Sequence, residues 1–226
     1  MHPILFRLGP FTIYSYGVCV ALAMLAAFFY TRKNREAQDL LFLLFLSGLA
    51  GARLFFVAQH PGDYRLHPWR VFWIQEGGLV WYGGFLTAVA VGALAVRARK
   101  GSVLKWADYF SPILALGQGI GRVGCFLNGC CYGKLTGAGT RYPTQLYEMS
   151  LLFALAIFLL LGSFKKHRDG QVFAAYLGGY GAIRFLVEFL RGDQELFGMF
   201  TLPQWISLVL IFAAFFLNRF SKRKIV

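Results

Sequence analysis

Six charged residues stand in or at the edge of long apolar stretches: Arg53, Arg122, Glu148, Arg184, Glu188 and Arg191. A charge within hydrocarbon is costly and turns toward the interior of a helix bundle, so each one marks a functional position by default. Tyr180, Arg184, Glu188 and Arg191 follow i, i+4, i+8, i+11 spacing, which stacks them on one helical face as an Arg–Glu pair with a second arginine beyond. Mutual neutralisation is the plain use of one such pair. Further arginines at similar depth leave cationic charge in excess, and guanidinium groups suit bidentate binding of a phosphate. Residues 121–133, Gly-Arg-Val-Gly-Cys-Phe-Leu-Asn-Gly-Cys-Cys-Tyr-Gly, add Asn128 and a run of glycines whose backbone N–H groups offer a second means of holding an anion.

These residues need a scaffold that can hold charge inside an apolar solvent. The chain has 226 residues, 58% of them hydrophobic and 15% charged, a balance that excludes an ordinary water-soluble domain. Apolar windows near 12–30, 40–58, 79–97, 106–122, 148–164, 171–190 and 201–218 each reach roughly the 20 residues needed to cross hydrocarbon. The expected fold is all-α, a polytopic membrane protein of seven transmembrane helices. With no internal repeat or linker, residues 1–226 read as a single integral domain.

Lysine and arginine concentrate in alternate connections: Arg32, Lys33 and Arg35; Arg97, Arg99, Lys100 and Lys105; Lys165, Lys166 and Arg168; Arg219, Lys222, Arg223 and Lys224. The positive-inside rule then places the N-terminus outside and the C-terminus in the cytoplasm. The net charge of +13 belongs to these short loops beside anionic lipid, so nucleic acid is not expected as a partner. Residues 59–78 and 123–147 are the long connections and both face outward, the second forming a small outward-facing head. Arg184 falls about 20 Å from the inner end of its helix. The charged residues therefore share the outer half of the bilayer.

Cys19 reads as a small buried hydrophobe. Cys125, Cys130 and Cys131 lack C-x-x-C spacing, and no histidine lies near them in sequence, so neither a metal nor any other cofactor is expected. An outward segment meets an oxidising compartment, and a disulfide from Cys125 to Cys130 or Cys131 is the expectation.

Tyr16-Gly17, Gly51-Ala52-Arg53, Gly83-Gly84, Gly121-Arg122-x-Gly124-x-Phe126-x-Asn128-Gly129, Pro143-x-Gln145-Leu146-Tyr147-Glu148 and Gly181-x-x-Arg184-x-x-x-Glu188-Phe189, in this order, resemble the bacterial prolipoprotein diacylglyceryl transferases. The resemblance implies a seven-helix inner-membrane enzyme with its active site toward the outer leaflet. Such an enzyme moves the diacylglyceryl group of phosphatidylglycerol to the lipobox cysteine of a prolipoprotein signal peptide, forming a thioether and releasing glycerol 1-phosphate. It further implies catalytic roles for Arg122, Arg184, Tyr82 and Glu188. Phosphatidylglycerol would be bound by Arg122, Arg53, Tyr16, Asn128, Gly129, Glu148 and Arg191.

Departures from the family pattern are specific. Tyr82-Gly83-Gly84 stands where the family has His-Gly-Gly, whose histidine is the proposed aid to thiol deprotonation. Cys125 and Cys130 stand where the signature has Asn and Glu. A phenol is a weak base at neutral pH, so Tyr82 is expected to hydrogen-bond, with Glu188, His60 or His67 as other proton acceptors. Alternative functions are a paralogue serving another acceptor, and an anionic-lipid binder or flippase without covalent chemistry. A thiol oxidoreductase drawing on Cys130-Cys131 lacks any accompanying redox motif.

Overall fold

Helices satisfy their own backbone hydrogen bonds without water, which suits long apolar segments, and helices take up most of the chain. The computed structural model describes residues 2–8, 11–65, 67–73, 77–137, 139–192 and 194–220. The basic tail residues Lys222, Arg223 and Lys224 lie outside the described residues. The helices are α1 (Ser15–Thr31), α2 (Arg35–Gln59), α3 (Pro61–Arg65), α4 (Trp81–Ala98), α5 (Val103–Asn128), α6 (Thr144–Ser163), α7 (Gln171–Glu188) and α8 (Leu202–Phe220). Five of them, α2, α4, α5, α6 and α8, are long and apolar enough to cross a membrane. Helix α1 is apolar over 17 residues, and α7 has 18 residues that include Arg184 and Glu188.

Two expected boundaries move. Helix α1 begins at Ser15 because strand β2 (Phe11–Tyr14) pairs antiparallel with β1 (Ile4–Leu8) and uses the start of the apolar run. Helix α5 continues through Gly121 and Gly124 to Asn128, and α6 starts at Thr144, which reduces the second long connection to residues 129–143. The glycines do not break α5, because a side chain at 124 would strike Tyr16 and Cys19 of α1. Close helix approach, not flexibility, is the use of Gly124.

The chain groups into two compact units, residues 1–27 with 104–226, and residues 28–103. In the first unit α7 packs against both α6 and α8. Asp108 of α5 accepts hydrogen bonds from the Gly170 N–H at 2.6 Å and the Phe173 N–H at 2.7 Å. The N-cap residue Gly170 has no side chain to cap α7, and a carboxylate from another helix supplies the cap. In the second unit α2 lies along α4. There a Cβ on Gly84 would sit 2.8 Å from the Gly48 carbonyl oxygen, so the Gly83-Gly84 pair permits backbone-to-backbone packing.

Candidate active site

In the first unit, the charged residues singled out in sequence form one chain of alternating sign across three helices. Arg122 of α5 places Nη2 2.7 Å from Oε1 of Glu148 on α6. The other oxygen of Glu148 lies 3.6 Å from Nη1 of Arg184 on α7. Arg184 Nη2 is 2.9 Å from Glu188 Oε2, and Arg191 Nε approaches the same oxygen at 3.8 Å. Thr201, at the start of α8, donates its hydroxyl to Glu188 Oε1 at 3.0 Å. Both carboxylates are almost fully buried.

Three guanidinium groups thus face two carboxylates, and one positive charge is in excess within this set. Arg184 Nη1 is buried and makes no hydrogen bond among the described residues. It retains donor capacity for an incoming acceptor, and buried donors without partners are costly. An anionic oxygen would satisfy both the charge and the donor. Glu188 turns Oε2 toward Arg184 and Arg191 and accepts from Thr201 through Oε1.

The end of α5 is a tight reversal. Gly129, with φ of 75°, follows the helix; its N–H donates to Phe126 O at 3.2 Å, and the Cys130 N–H donates to Cys125 O at 3.1 Å. This is the Schellman pattern, which calls for a residue in the left-handed region at this position. Further along, Gly133 N–H donates to Tyr142 O and Lys134 N–H to Leu190 O. These N–H groups donate to carbonyls, and Gly129 serves as a helix terminator. Asn128 is exposed, and the Cys130 thiol donates to the Cys125 carbonyl oxygen at 3.6 Å.

The cysteines are thiols. No disulfide joins Cys125, Cys130 or Cys131, and the Sγ atoms of Cys130 and Cys131 lie 3.7 Å apart, which overturns the expected bridge. A hydrogen bond from Cys125, with help from the charges of Arg191 and Arg122, pulls the Cys131 thiol down to about 5 against the effect of burial. Burial pushes the Cys130 thiol up.

In the second unit Arg53 is buried and makes five hydrogen bonds, all to backbone carbonyls. Nε donates to Val71 O at 2.8 Å; Nη1 donates to Gly77 O at 2.6 Å and Gly78 O at 3.2 Å; Nη2 donates to Arg70 O at 2.6 Å and Trp73 O at 3.2 Å. Its five N–H donors are therefore occupied, and Arg53 clamps the first long loop. Positive φ at Gly77 and Gly78 turns their carbonyls toward it. Tyr82, on the first turn of α4, is 58% exposed and meets Trp81 edge-on. His60 stacks on Phe56, with Nδ1 3.0 Å from the Phe56 carbonyl oxygen. His67 lines a cavity of about 460 Å³ with Arg53, Tyr64 and Arg70.

Arg122, Glu148, Arg184, Glu188 and Arg191 are thus brought together, with Tyr16 packed beside Gly124, two residues after Arg122. Sequence reasoning missed Thr201 altogether, because a hydroxyl at a helix start reads as a cap. Thr144 and Gln145 were also missed as clamps, although Gln145 lies within the Pro143–Glu148 motif. Thr144 donates to Cys131 O at 2.8 Å and Gln145 to Cys130 O at 2.5 Å.

Several apolar helices, with a buried network of paired charges that is one cation in excess, define a multi-pass membrane protein. The family model for prolipoprotein diacylglyceryl transferase matches residues 3–219, and the chain belongs to that family. It is 34% identical over 236 residues to the phosphatidylglycerol–prolipoprotein diacylglyceryl transferase of Bordetella avium, covering 91% of this chain and 89% of that protein. The enzyme of the same name from Clostridium tetani is 34% identical over 250 residues, covering 99% of this chain and 100% of that protein. That of Geobacter sulfurreducens is 31% identical over 241 residues, covering 96% and 93%.

Proposed function

We propose that this protein transfers the diacylglyceryl group of phosphatidylglycerol to the lipobox cysteine of a prolipoprotein. The observation that carries this reading is the buried Nη1 of Arg184, without a hydrogen bond in a charge network that is one cation in excess, in a chain of this family. The thiolate sulfur attacks the glycerol carbon that bears the phosphate ester. The carbon–oxygen bond breaks, and glycerol 1-phosphate leaves with the bonding electrons while a thioether forms.

Arg122 and Arg184 stabilise the negative charge that grows on the departing phosphate. Oriented cations in a site poor in water act without reorganisation, and loss of one costs about 10²–10³ in rate. Glu148 and Glu188 are positioning residues that hold these guanidinium groups, and Arg191 balances Glu188. Tyr16 and Asn128 border the lipid head group. Tyr82 hydrogen-bonds the acceptor. Arg53 acts one step removed, by organising the first long loop.

Seven crossings, with the N-terminus outside and the C-terminus in the cytoplasm, agree with the alternation of basic loops. The site then opens toward the outer leaflet of the inner membrane, where phosphatidylglycerol and a translocated signal peptide meet, and residues 129–143 form its small outward head. The test is transfer of label from phosphatidylglycerol to a lipobox peptide by the protein reconstituted in vesicles. Arg122→Ala and Arg184→Ala are expected to abolish transfer. Parental rates in either variant reject the assigned roles.

A further inference from the structure

The three cysteines around the end of α5 are far apart in role from the charge network and are not used by the transfer chemistry. Their sulfurs nonetheless converge: all three Sγ atoms lie within 4.8 Å of one another, and those of Cys130 and Cys131 are 3.7 Å apart. A metal ion with sulfur ligands at about 2.3 Å spaces those ligands by ~4 Å in a trigonal or tetrahedral arrangement. The trio therefore needs a contraction of under about 1 Å to close on an ion. A disulfide needs two of the sulfurs to approach to about 2.05 Å.

The placement is built into the fold. Cys125 occupies the last turn of α5, and the Schellman reversal at Gly129 brings the chain back across it. Cys131 adopts φ of 63°, a conformation that costs a non-glycine residue free energy and is retained only when surroundings fix it. Two buried side chains do so: Gln145 holds the Cys130 carbonyl and Thr144 the Cys131 carbonyl. The strained residue directs its sulfur at the other two.

We propose that Cys125, Cys130 and Cys131 form a binding site for one thiophilic d10 metal ion, zinc or monovalent copper. All-sulfur ligation without histidine or carboxylate selects soft or borderline ions over magnesium, calcium or manganese. Three protein ligands leave a coordination position for water or a fourth donor on zinc, whereas monovalent copper is satisfied by three. The inference is independent of the transferase reading, since it rests on sulfur geometry alone.

The experiment uses the full chain in detergent, fully reduced, with one equivalent of zinc or of monovalent copper added before desalting. Metal content is measured, and alkylation of each cysteine is followed by peptide mass. The expected result is about one ion retained per chain, and alkylation of Cys125, Cys130 and Cys131 slowed at least tenfold while that of Cys19 is unchanged. Retention of one ion and not the other identifies the metal within the proposal. Cys131→Ser is expected to weaken retention at least tenfold with the fold intact by circular dichroism; the protection measured on the parent protein needs no variant. The proposal is overturned by loss of both ions on desalting, by equal alkylation with and without metal, by equal retention in a variant with all three cysteines replaced by serine, or by a disulfide within the trio in protein exposed to air with one equivalent of zinc.

Discussion

Glu148→Gln removes one charge and almost no volume from the centre of the network. Glu148 is 2% exposed and faces Arg122 at 2.7 Å and Arg184 at 3.6 Å. At an effective dielectric constant near 20, contacts at these separations are worth about 6 and about 5 kcal/mol before desolvation is counted. Desolvation offsets much of that sum, and removing one partner of a buried pair leaves a net loss of about 3–5 kcal/mol. Glutamine still offers Arg122 an acceptor, so the lower end, about 3 kcal/mol, is the expectation. For a chain of this length that lowers the melting temperature by about 6–12 °C. Arg122 and Arg184 would then repel each other without a shared anion, and the transfer rate is expected to fall about 10²-fold. Thermal unfolding in detergent and transfer in vesicles, measured on the same preparations, give both quantities. A variant that melts within about 2 °C of the parent and transfers at the parental rate would refute the claim that Glu148 holds the two arginines.

Thr201→Val leaves Glu188 Oε1 buried without its hydroxyl donor, and a loss of about 1–3 kcal/mol is expected in thermal unfolding. Asp108→Ala removes the cap of α7 and is expected to cost about 2–3 kcal/mol in thermal unfolding. Arg53→Lys keeps the charge but not the five-donor fork, so limited proteolysis between residues 60 and 80 should quicken several-fold. Gly84→Val forces α2 and α4 apart at the Gly48 carbonyl; size-exclusion profiles in detergent should show a collapse in folded yield.

The helices were legible because apolar runs of this length have few other uses, and the glycines within α5 misled only about where it ends. Arg122, Arg184 and Glu188 were legible as a set because charge in an apolar context is costly and helical spacing is regular. Spacing does not say what a guanidinium meets. Arg53 has the same credentials in sequence as Arg122, yet its donors go to carbonyls turned inward by Gly77 and Gly78. Glu148 was read as a lipid ligand because its two arginine partners lie on other helices. The cysteines were expected as neighbours in a pair, Cys125 with Cys130 or Cys131, but the convergence of all three sulfurs depends on a chain reversal and a positive φ at Cys131, neither of which spacing encodes.

Helix α7 is gripped near each end by a carboxylate from a different helix, Asp108 at the Gly170 and Phe173 amides and Glu148 at Arg184. The interval from 173 to 184 is therefore a calibrated length. One inserted residue would turn Arg184 through about 100° and carry it about 1.5 Å along the axis, away from Glu148 and across the bundle, whatever the identity of the inserted side chain. Drift in sequence along this stretch is permitted so long as the residue count between the two grips is preserved.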